Sequence, residues 1–234
     1  IIDFSETKHD KSTYYIFGGS IVLEGSTLNA RQFATQGSRE KMAAQIFTGT
    51  EHFRSGASKV TKDTPEPYKK VQSWLQVSYQ NETYHKVSPK FTLGAYLEAY
   101  YSSRNFSNNY TATLMQAGEF TPTAHSKVTY NEAFRANQYA GVGAMPIYQL
   151  SESFQLRGEF YGFVPIFPIK KDEYGQAYYG KAFTKFEYLG EISLVFQLSF
   201  GSISAYVNHY SSPSNDWNVG LTLGWQLFNS RFIE

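Results

Sequence analysis

Few residues in this sequence have types and spacing that could support catalysis. A serine hydrolase that places its nucleophile on a sharp strand-to-helix turn needs the pattern Gly-x-Ser-x-Gly, which does not occur here. The stretch Gly18-Gly19-Ser20 lacks the second glycine and lies within a strand pattern. His125 and Ser126 are adjacent, but neighbours on an extended chain point to opposite sides and cannot share a proton directly. We predict no catalytic residue in this segment.

Metal and cofactor sites are not indicated either. The histidines have neither the i,i+4 nor the His-x-His spacing of metal ligands; they are His9, His52, His85, His125 and His209. The sequence contains no cysteine, which excludes disulfides, iron–sulfur clusters and thiolate ligands. Gly141-Val142-Gly143 has no phosphate-loop context, and glycines inside a strand indicate a bend or the close approach of another segment. We expect no metal and no cofactor.

The composition narrows the fold class. Aromatic residues make up 18% of the chain, with 19 Tyr and 19 Phe, yet the mean hydropathy is −0.41. No uninterrupted apolar run reaches about 18 residues, so no transmembrane helix is predicted. The 21 Lys and Arg balance 20 Asp and Glu, so no basic surface for nucleic acid is indicated. This composition fits a β-barrel with a polar interior, and a soluble β-sandwich is the alternative at this point.

Alternation of apolar and polar residues is the clearest pattern. From Trp217 to Leu227, every second residue is apolar and the others are polar or glycine. Because successive side chains of a strand point to opposite faces, this opposes an apolar face to a polar one. The pattern predicts nine strands: Tyr14–Glu24, Arg39–Phe53, Val71–Gln80, Phe91–Ser102, Tyr139–Leu150, Phe154–Phe160, Phe186–Phe200, Ser202–Tyr210 and Trp217–Leu227.

Short and long connections alternate between these strands. The short ones are Leu150–Ser153, Phe200–Ser202 and His85–Lys90, and the long ones are Arg54–Lys70, Arg104–Asn137, Pro165–Ala182 and Ser211–Asp216. Outer-membrane barrels have short turns on the periplasmic side and long loops outside, whereas a soluble sandwich has no reason to sort its loops by length. The connections therefore favour an antiparallel transmembrane β-barrel.

The polar faces of the predicted strands carry acidic residues, namely Glu98, Glu159, Glu187 and Glu191. An isolated buried charge is very costly, so this face needs water or an ion-paired interior. The opposite face, rich in Leu, Phe, Val and Ala, needs a nonpolar surrounding. We therefore expect the apolar face to contact outer-membrane lipids.

A turn motif between the first two strands carries a family resemblance. Arg31-Gln32-Phe33-Ala34-Thr35-Gln36-Gly37-Ser38-Arg39 resembles the Arg-x-Phe-Pro-Thr-x-Gly-Ser-Arg turn of the BamA/TamA-type bacterial surface antigen barrels. Ala34 replaces the usual proline, which leaves Gly37 to form the turn. The resemblance implies Phe33, Gly37 and Arg39 as a periplasmic turn motif. It also implies a barrel of about sixteen strands, of which this chain supplies the C-terminal part.

The long segment 104–137, the inserted loop, matches the place of that family's sixth loop, which folds into the lumen and carries an Arg-Gly-Phe tip. Phe134-Arg135-Ala136-Asn137 stands there, so the glycine and phenylalanine of the tip are missing. The resemblance implies Arg135 as a lumen anchor, paired with Glu159 or Glu187. The segment Phe120–Lys127 and the terminal Gly224–Phe228 are most similar to the barrels of bacterial patatin-like phospholipases.

These features together predict that residues 1–234 are a single segment of a bacterial outer-membrane barrel. We expect it to anchor or translocate an attached passenger, either a lipase or a periplasmic domain, with a patatin-like phospholipase as the parent protein. A lipolytic enzyme with catalysis inside the barrel and a passive pore are the alternatives. A homo-oligomer is left open.

Overall fold

The chain folds as an all-β protein with one dominant antiparallel sheet. A computed structural model describes residues 11–54, 68–212 and 217–225. In chain order the strands are β1 (Lys11–Ser26), β2 (Gly37–Arg54), β3 (Tyr68–Ser88), β4 (Phe91–Ser102), β5 (Gly118–Glu119), β6 (Arg135–Ala136), β7 (Gln138–Gln149), β8 (Phe154–Pro165), β9 (Ile169–Lys171), β10 (Ala177–Tyr179), β11 (Glu187–Leu198), β12 (Gly201–Tyr210) and β13 (Trp217–Trp225). The main sheet has the order β1-β2-β3-β4-β7-β8-β11-β12-β13, which confirms the nine strands that alternation predicted.

Each strand of the main sheet pairs antiparallel with its neighbours in this order. Strand lengths run from 9 residues in β13 to 21 residues in β3. A tilted strand needs about 9–11 residues to cross a bilayer, so these lengths suffice. Within the described residues the sheet is not closed into a barrel, and β1 and β13 are its two edges.

The longer connections contain small elements of their own. In the inserted loop, α1 (Tyr110–Gln116) is followed by the paired strands β5 and β6, with two short 3-10 turns between them. β9 and β10 form a hairpin in the connection between β8 and β11. α1 is the one α-helix in the part of the chain that the structure describes, and its seven residues are too few to span a membrane.

The two faces of the main sheet differ from those of a typical soluble sheet: large apolar side chains are exposed along one face, whereas the other face buries acidic residues together with apolar ones such as Phe163 and Val195. In β4, Leu93 and Leu97 are exposed, whereas Thr92 and Glu98 are buried. At the edge of the sheet, Leu221 on β13 is 80% exposed. The four acidic residues that alternation placed on the inner side are all buried: Glu98, Glu159, Glu187 and Glu191. We call the side that bears these acids the polar face and the opposite side the apolar face.

Several strand boundaries differ from the predictions: β1 spans Lys11–Ser26, β3 begins at Tyr68, and β8 continues to Pro165, beyond its predicted end at Phe160. β3 continues to Ser88, through residues that the sequence placed in the connection His85–Lys90. Pairing with β4 persists there across an irregularity between Lys86 and Ser88, because a bulge keeps the two strands aligned up to the turn. The predicted strand end at Gln226 and Leu227 lies outside the described residues.

Candidate functional site: the inserted loop on the polar face

The inserted loop lies on the polar face of the sheet and packs there through Phe120. This side chain is 2% exposed, and its ring stacks on Phe163 at 5.5 Å between centroids. Further rings surround it at 6.0 to 6.5 Å, those of Tyr139, Tyr96, Tyr161 and Phe134. Clusters of this kind add edge-to-face and stacking contacts to the burial of apolar area.

Gly141 on β7 provides the space for this ring. A Cβ atom built on Gly141 would lie 2.1 Å from Cε2 of Phe120, far inside van der Waals contact. Any larger residue would displace the phenylalanine. At Gly141 this confirms the close approach of another segment and identifies that segment as the inserted loop, whereas a Cβ on Gly143 would meet the ring of Tyr161 on the neighbouring strand β8, at 2.2 Å.

A second contact of the loop is polar and deeply buried. His125 lies with Nδ1 2.6 Å from Oε1 of Glu191 on β11, and both side chains are almost fully buried. The imidazole stacks on Tyr206 of β12 with centroids 3.5 Å apart and an interplanar angle of 14°. Asn208 donates a hydrogen bond to the other carboxylate oxygen of Glu191, at 3.4 Å. His125 therefore ties the loop to two strands at once.

Ser126 makes contacts unrelated to the imidazole of its neighbour. Its Oγ donates to the carbonyl of Thr123 at 2.9 Å and accepts from the backbone N–H of Thr123 at 3.0 Å. The hydroxyl of Thr123 accepts in turn from the N–H of Ser126 at 2.9 Å. These bonds satisfy buried polar groups of a tight turn and use the serine for local structure.

The beginning of the loop is fixed by Arg104. Its guanidinium lies over the ring of Trp74 at 4.3 Å and over that of Tyr14 at 5.6 Å. It also donates to the side-chain carbonyl of Gln116 at 2.7 Å. Burial lowers the pKa of Arg104 from its ordinary value, and the nearby Tyr14 and Glu51 act in the opposite direction. The cation–π contacts join the loop to β1 and β3.

Arg135 has a different partner from the two that the resemblance suggested. Its Nη2 lies 2.7 Å from Oε2 of Glu119, the residue opposite it in the β5–β6 pair. It also donates to the carbonyl of Leu114 at 3.3 Å. Arg135 is therefore held within the inserted loop, because the β5–β6 register places a carboxylate directly across from it.

The two predicted partners of Arg135 are occupied by other groups. Glu159 forms an ion pair with Arg157, and Tyr161 donates to it at 2.9 Å. Glu187 accepts from the hydroxyl of Ser211 and lies 3.3 Å from Nζ of Lys185. Each carboxylate therefore pairs with a cation two residues away in the sequence. Glu159 pairs with Arg157 on the same face of β8, and Glu187 pairs with Lys185 in the connection before β11.

Arg157 is the central cation of the polar face, and the sequence did not single it out. It is 3% exposed, and besides Glu159 it donates to the hydroxyl of Tyr84 at 2.7 Å and to the carbonyl of Ala34 at 2.8 Å. It thus links β8, β3 and the turn between β1 and β2. The sequence could have indicated this ion pair, because Arg157 and Glu159 are two residues apart and residues i and i+2 of a strand share a face.

The turn that contains the motif residues folds back over the polar face of the sheet. Asn29 holds it together by accepting hydrogen bonds from the N–H groups of Thr35 and Gln36, at 2.9 and 3.0 Å. The carbonyl of Phe33 accepts from Gln155 at 3.2 Å and from Gln197 at 3.3 Å. The segment 27–36 therefore reaches from the first hairpin to β8 and β11.

The three motif residues have separate roles in this turn. Phe33 and Gly37 both adopt positive φ, at 54° and 93°. Only glycine fits the second position, since a Cβ there would lie 2.1 Å from the carbonyl oxygen of Thr27. Arg39 donates to Glu24 at 2.9 Å and lies 3.8 Å from Glu82, in partly exposed ion pairs that join β1, β2 and β3.

Among the described residues, no group of three or more His, Cys, Asp or Glu is arranged to hold a metal ion. Comparisons with protein-family models, with curated proteins and with solved structures find no match to this chain. The function must therefore be argued from the geometry of the sheet and of the inserted loop.

Proposed function

We propose that this chain is the membrane-embedded part of a bacterial outer-membrane β-barrel, with the inserted loop as a plug in its lumen. The observation that carries the proposal is the row of exposed apolar side chains along one face of the sheet, opposite a face that buries acidic residues. Leu93, Leu97 and Leu221 are exposed, while Glu98, Glu159 and Glu191 are buried. Exposing so much apolar surface to water is unfavourable, whereas lipid removes that cost.

The direction of the edge strands agrees with a larger barrel. β1 and β13 run in the same direction, because eight antiparallel steps separate them. They cannot pair antiparallel with each other, so an all-antiparallel barrel needs an odd number of further strands between them. Even totals are the rule in bacterial outer-membrane barrels, and the even-stranded barrel implied by the family resemblance meets this condition.

The packing of the loop favours anchoring or translocation of a passenger over a passive pore. Phe120, His125 and Arg104 fix the loop at three separate places on the polar face. A loop fixed against the wall at three places would narrow a pore, so a passive pore does not explain this packing. We infer that the barrel belongs to a protein with an attached passenger domain. On the resemblance to patatin-like phospholipases, we propose that this passenger is a lipase.

A lipolytic site inside the barrel is the weaker candidate. His125 and Ser126 bond to different partners, since Nδ1 of His125 contacts Glu191 and Oγ of Ser126 donates to Thr123. The passenger hypothesis therefore predicts that esterase activity resides in the attached domain and persists when His125 is replaced by alanine.

An arginine on each face of β13 tests the membrane part of the proposal. Leu221→Arg places the charge on the apolar face, and Thr222→Arg places it on the polar face of the same strand. Near the bilayer midplane we expect Leu221→Arg to destabilise the protein by about 2–4 kcal/mol, and Thr222→Arg to cost much less. Urea unfolding in phospholipid vesicles measures both, and equal losses would refute the proposal.

A further inference from the structure

A groove on the apolar face has no part in the packing described above. Its volume is about 660 Å³, and it runs across β7, β8, β11, β12 and the start of β13. Its principal walls are Val142, Phe160, Phe186, Tyr188, Ile192 and Trp217, whose side chains are between 47% and 70% exposed. The groove is therefore apolar and open on the side that we assign to lipid.

Two glycines of the apolar face line the groove. Gly162 pairs with Val142 on one side and Tyr188 on the other. Gly190 pairs with Phe160 and with His209. Gly190 thus lies between larger side chains, and its missing side chain lowers the floor between them. The ring of Phe186 covers Gly162, with Cε2 3.0 Å from the position that a Cβ would take there.

One end of the groove has polar aromatic groups. The ring of His209 stacks on Tyr188 at 5.9 Å and lies 4.8 Å from the ring of Trp217. All three residues are next to long connections, at the end of β12 and the starts of β11 and β13. Aromatic side chains with a polar tip are enriched where a membrane protein passes from hydrocarbon to headgroups.

We propose that the groove binds one acyl chain of a membrane lipid, with the lipid headgroup at the His209 end. The inference rests on the proposed function and specifies one partner of its apolar face. The volume lies within the range of about 300–1,000 Å³ that is common for ligand pockets. The lining of the groove is continuous with the exposed apolar face. A flexible acyl chain can fill a recessed floor, whereas the flat sheet of a second copy would leave that recess empty.

A matched pair of leucine substitutions tests this binding. Gly190→Leu fills the floor, and its Cβ would meet Phe160 at 3.6 Å, an ordinary contact that the strand accommodates. Gly19→Leu adds the same side chain to the apolar face of β1, where nothing lies within 4 Å of the new Cβ. The full chain and both variants are placed in phosphatidylcholine and phosphatidylglycerol vesicles with a trace of phospholipid that carries a diazirine in one acyl chain. After illumination, mass spectrometry of peptides locates the adducts.

We expect adducts on Phe160 and Ile192 to exceed those on Leu221 about ten-fold in the unsubstituted protein, as a preferred site requires. Gly190→Leu should remove this excess and Gly19→Leu should preserve it. Adducts spread evenly over the apolar face in all three proteins would overturn the groove as a site and leave the membrane proposal intact. Absence of adducts from the whole apolar face would overturn both. Crosslinks from groove residues to a second copy would assign the groove to dimerisation and refute lipid binding.

Discussion

Single residues explain how the polar face carries charge without water at every position. The guanidinium of Arg157 forms an ion pair with Glu159 and donates hydrogen bonds to the hydroxyl of Tyr84 and the carbonyl of Ala34. Glu191 has His125 and Asn208 as partners. Burial of a charge is tolerated when a partner and further hydrogen bonds compensate its lost hydration. On the polar face, therefore, an ion pair compensates Glu159, and hydrogen-bonding partners compensate Glu191 and Glu98.

Removal of the arginine alone should be strongly destabilising. Arg157→Met leaves Glu159 buried without its cation, and we expect a loss of about 3–5 kcal/mol in the free energy of unfolding. Arg39→Met removes a partly exposed ion pair and should cost at most about 1 kcal/mol. Urea unfolding of the two variants under the same conditions makes the comparison. Equal costs would mean that Arg157 is not a structural centre.

The sequence revealed the faces of residues more reliably than their partners. Alternation placed Glu98, Glu159 and Glu191 on one side because side-chain direction depends only on local strand geometry. The pairing of His125 with Glu191 joins residues 66 positions apart, and no local pattern encodes which of several inward acids the loop will reach. For the same reason the sequence did not predict that Arg135 pairs with Glu119, because the short β5–β6 pair has no recognisable pattern of its own.

Elements of the sheet follow from the sequence almost completely, whereas the inserted loop does not. The nine strands repeat one simple pattern, and each is bounded by turn residues or by a long connection. The inserted loop combines a seven-residue helix, two 3-10 turns and a two-residue strand pair. The helix and one 3-10 turn begin at asparagine caps, Asn109 and Asn131. Their place on the sheet depends on long-range contacts such as that of Phe120 at Gly141, which no local pattern predicts.

Gly141→Val should release the inserted loop from the polar face. The new side chain occupies the position of the Phe120 ring, and overpacking of this kind costs about 1–3 kcal/mol. We expect faster proteolytic cleavage within residues 104–137, measured by limited digestion of the folded protein and peptide mass spectrometry. Gly25→Val is the control, since nothing lies within 4 Å of a Cβ at that position of β1. Cleavage at an unchanged rate in Gly141→Val would show that Phe120 is not the main contact of the loop.

At the scale of the whole molecule, the turn segment 27–36 and the inserted loop both pack on the polar face and connect strands that are distant in the sheet. Gln32 accepts a hydrogen bond from Ser202 on β12 at 2.9 Å, although 170 residues separate them. The first hairpin is therefore fixed to the last strands through the polar face and not through pairing of edges. Among the described residues, β1 and β13 each pair with one strand only and form the two edges of the sheet.

The parallel direction of β1 and β13 leads to a prediction about how the proposed barrel closes. If further strands lie between these edges, inward residues of β1 cannot approach inward residues of β13. The sequence has no cysteine, so introduced pairs report without background. Ser20→Cys is combined in turn with Asn218→Cys, Gly220→Cys and Thr222→Cys, which cover the inward side of β13 in steps of two residues.

Ser20→Cys with Gln45→Cys is the positive control, because these residues are directly opposite each other in the β1–β2 pair. A disulfide requires Cα atoms within about 7 Å of each other. We therefore expect oxidation to link the control pair and none of the three edge pairs, as read from electrophoretic mobility with and without reductant. A disulfide in any edge pair would mean that the nine strands close on themselves through a parallel seam, and the larger antiparallel barrel would then be wrong.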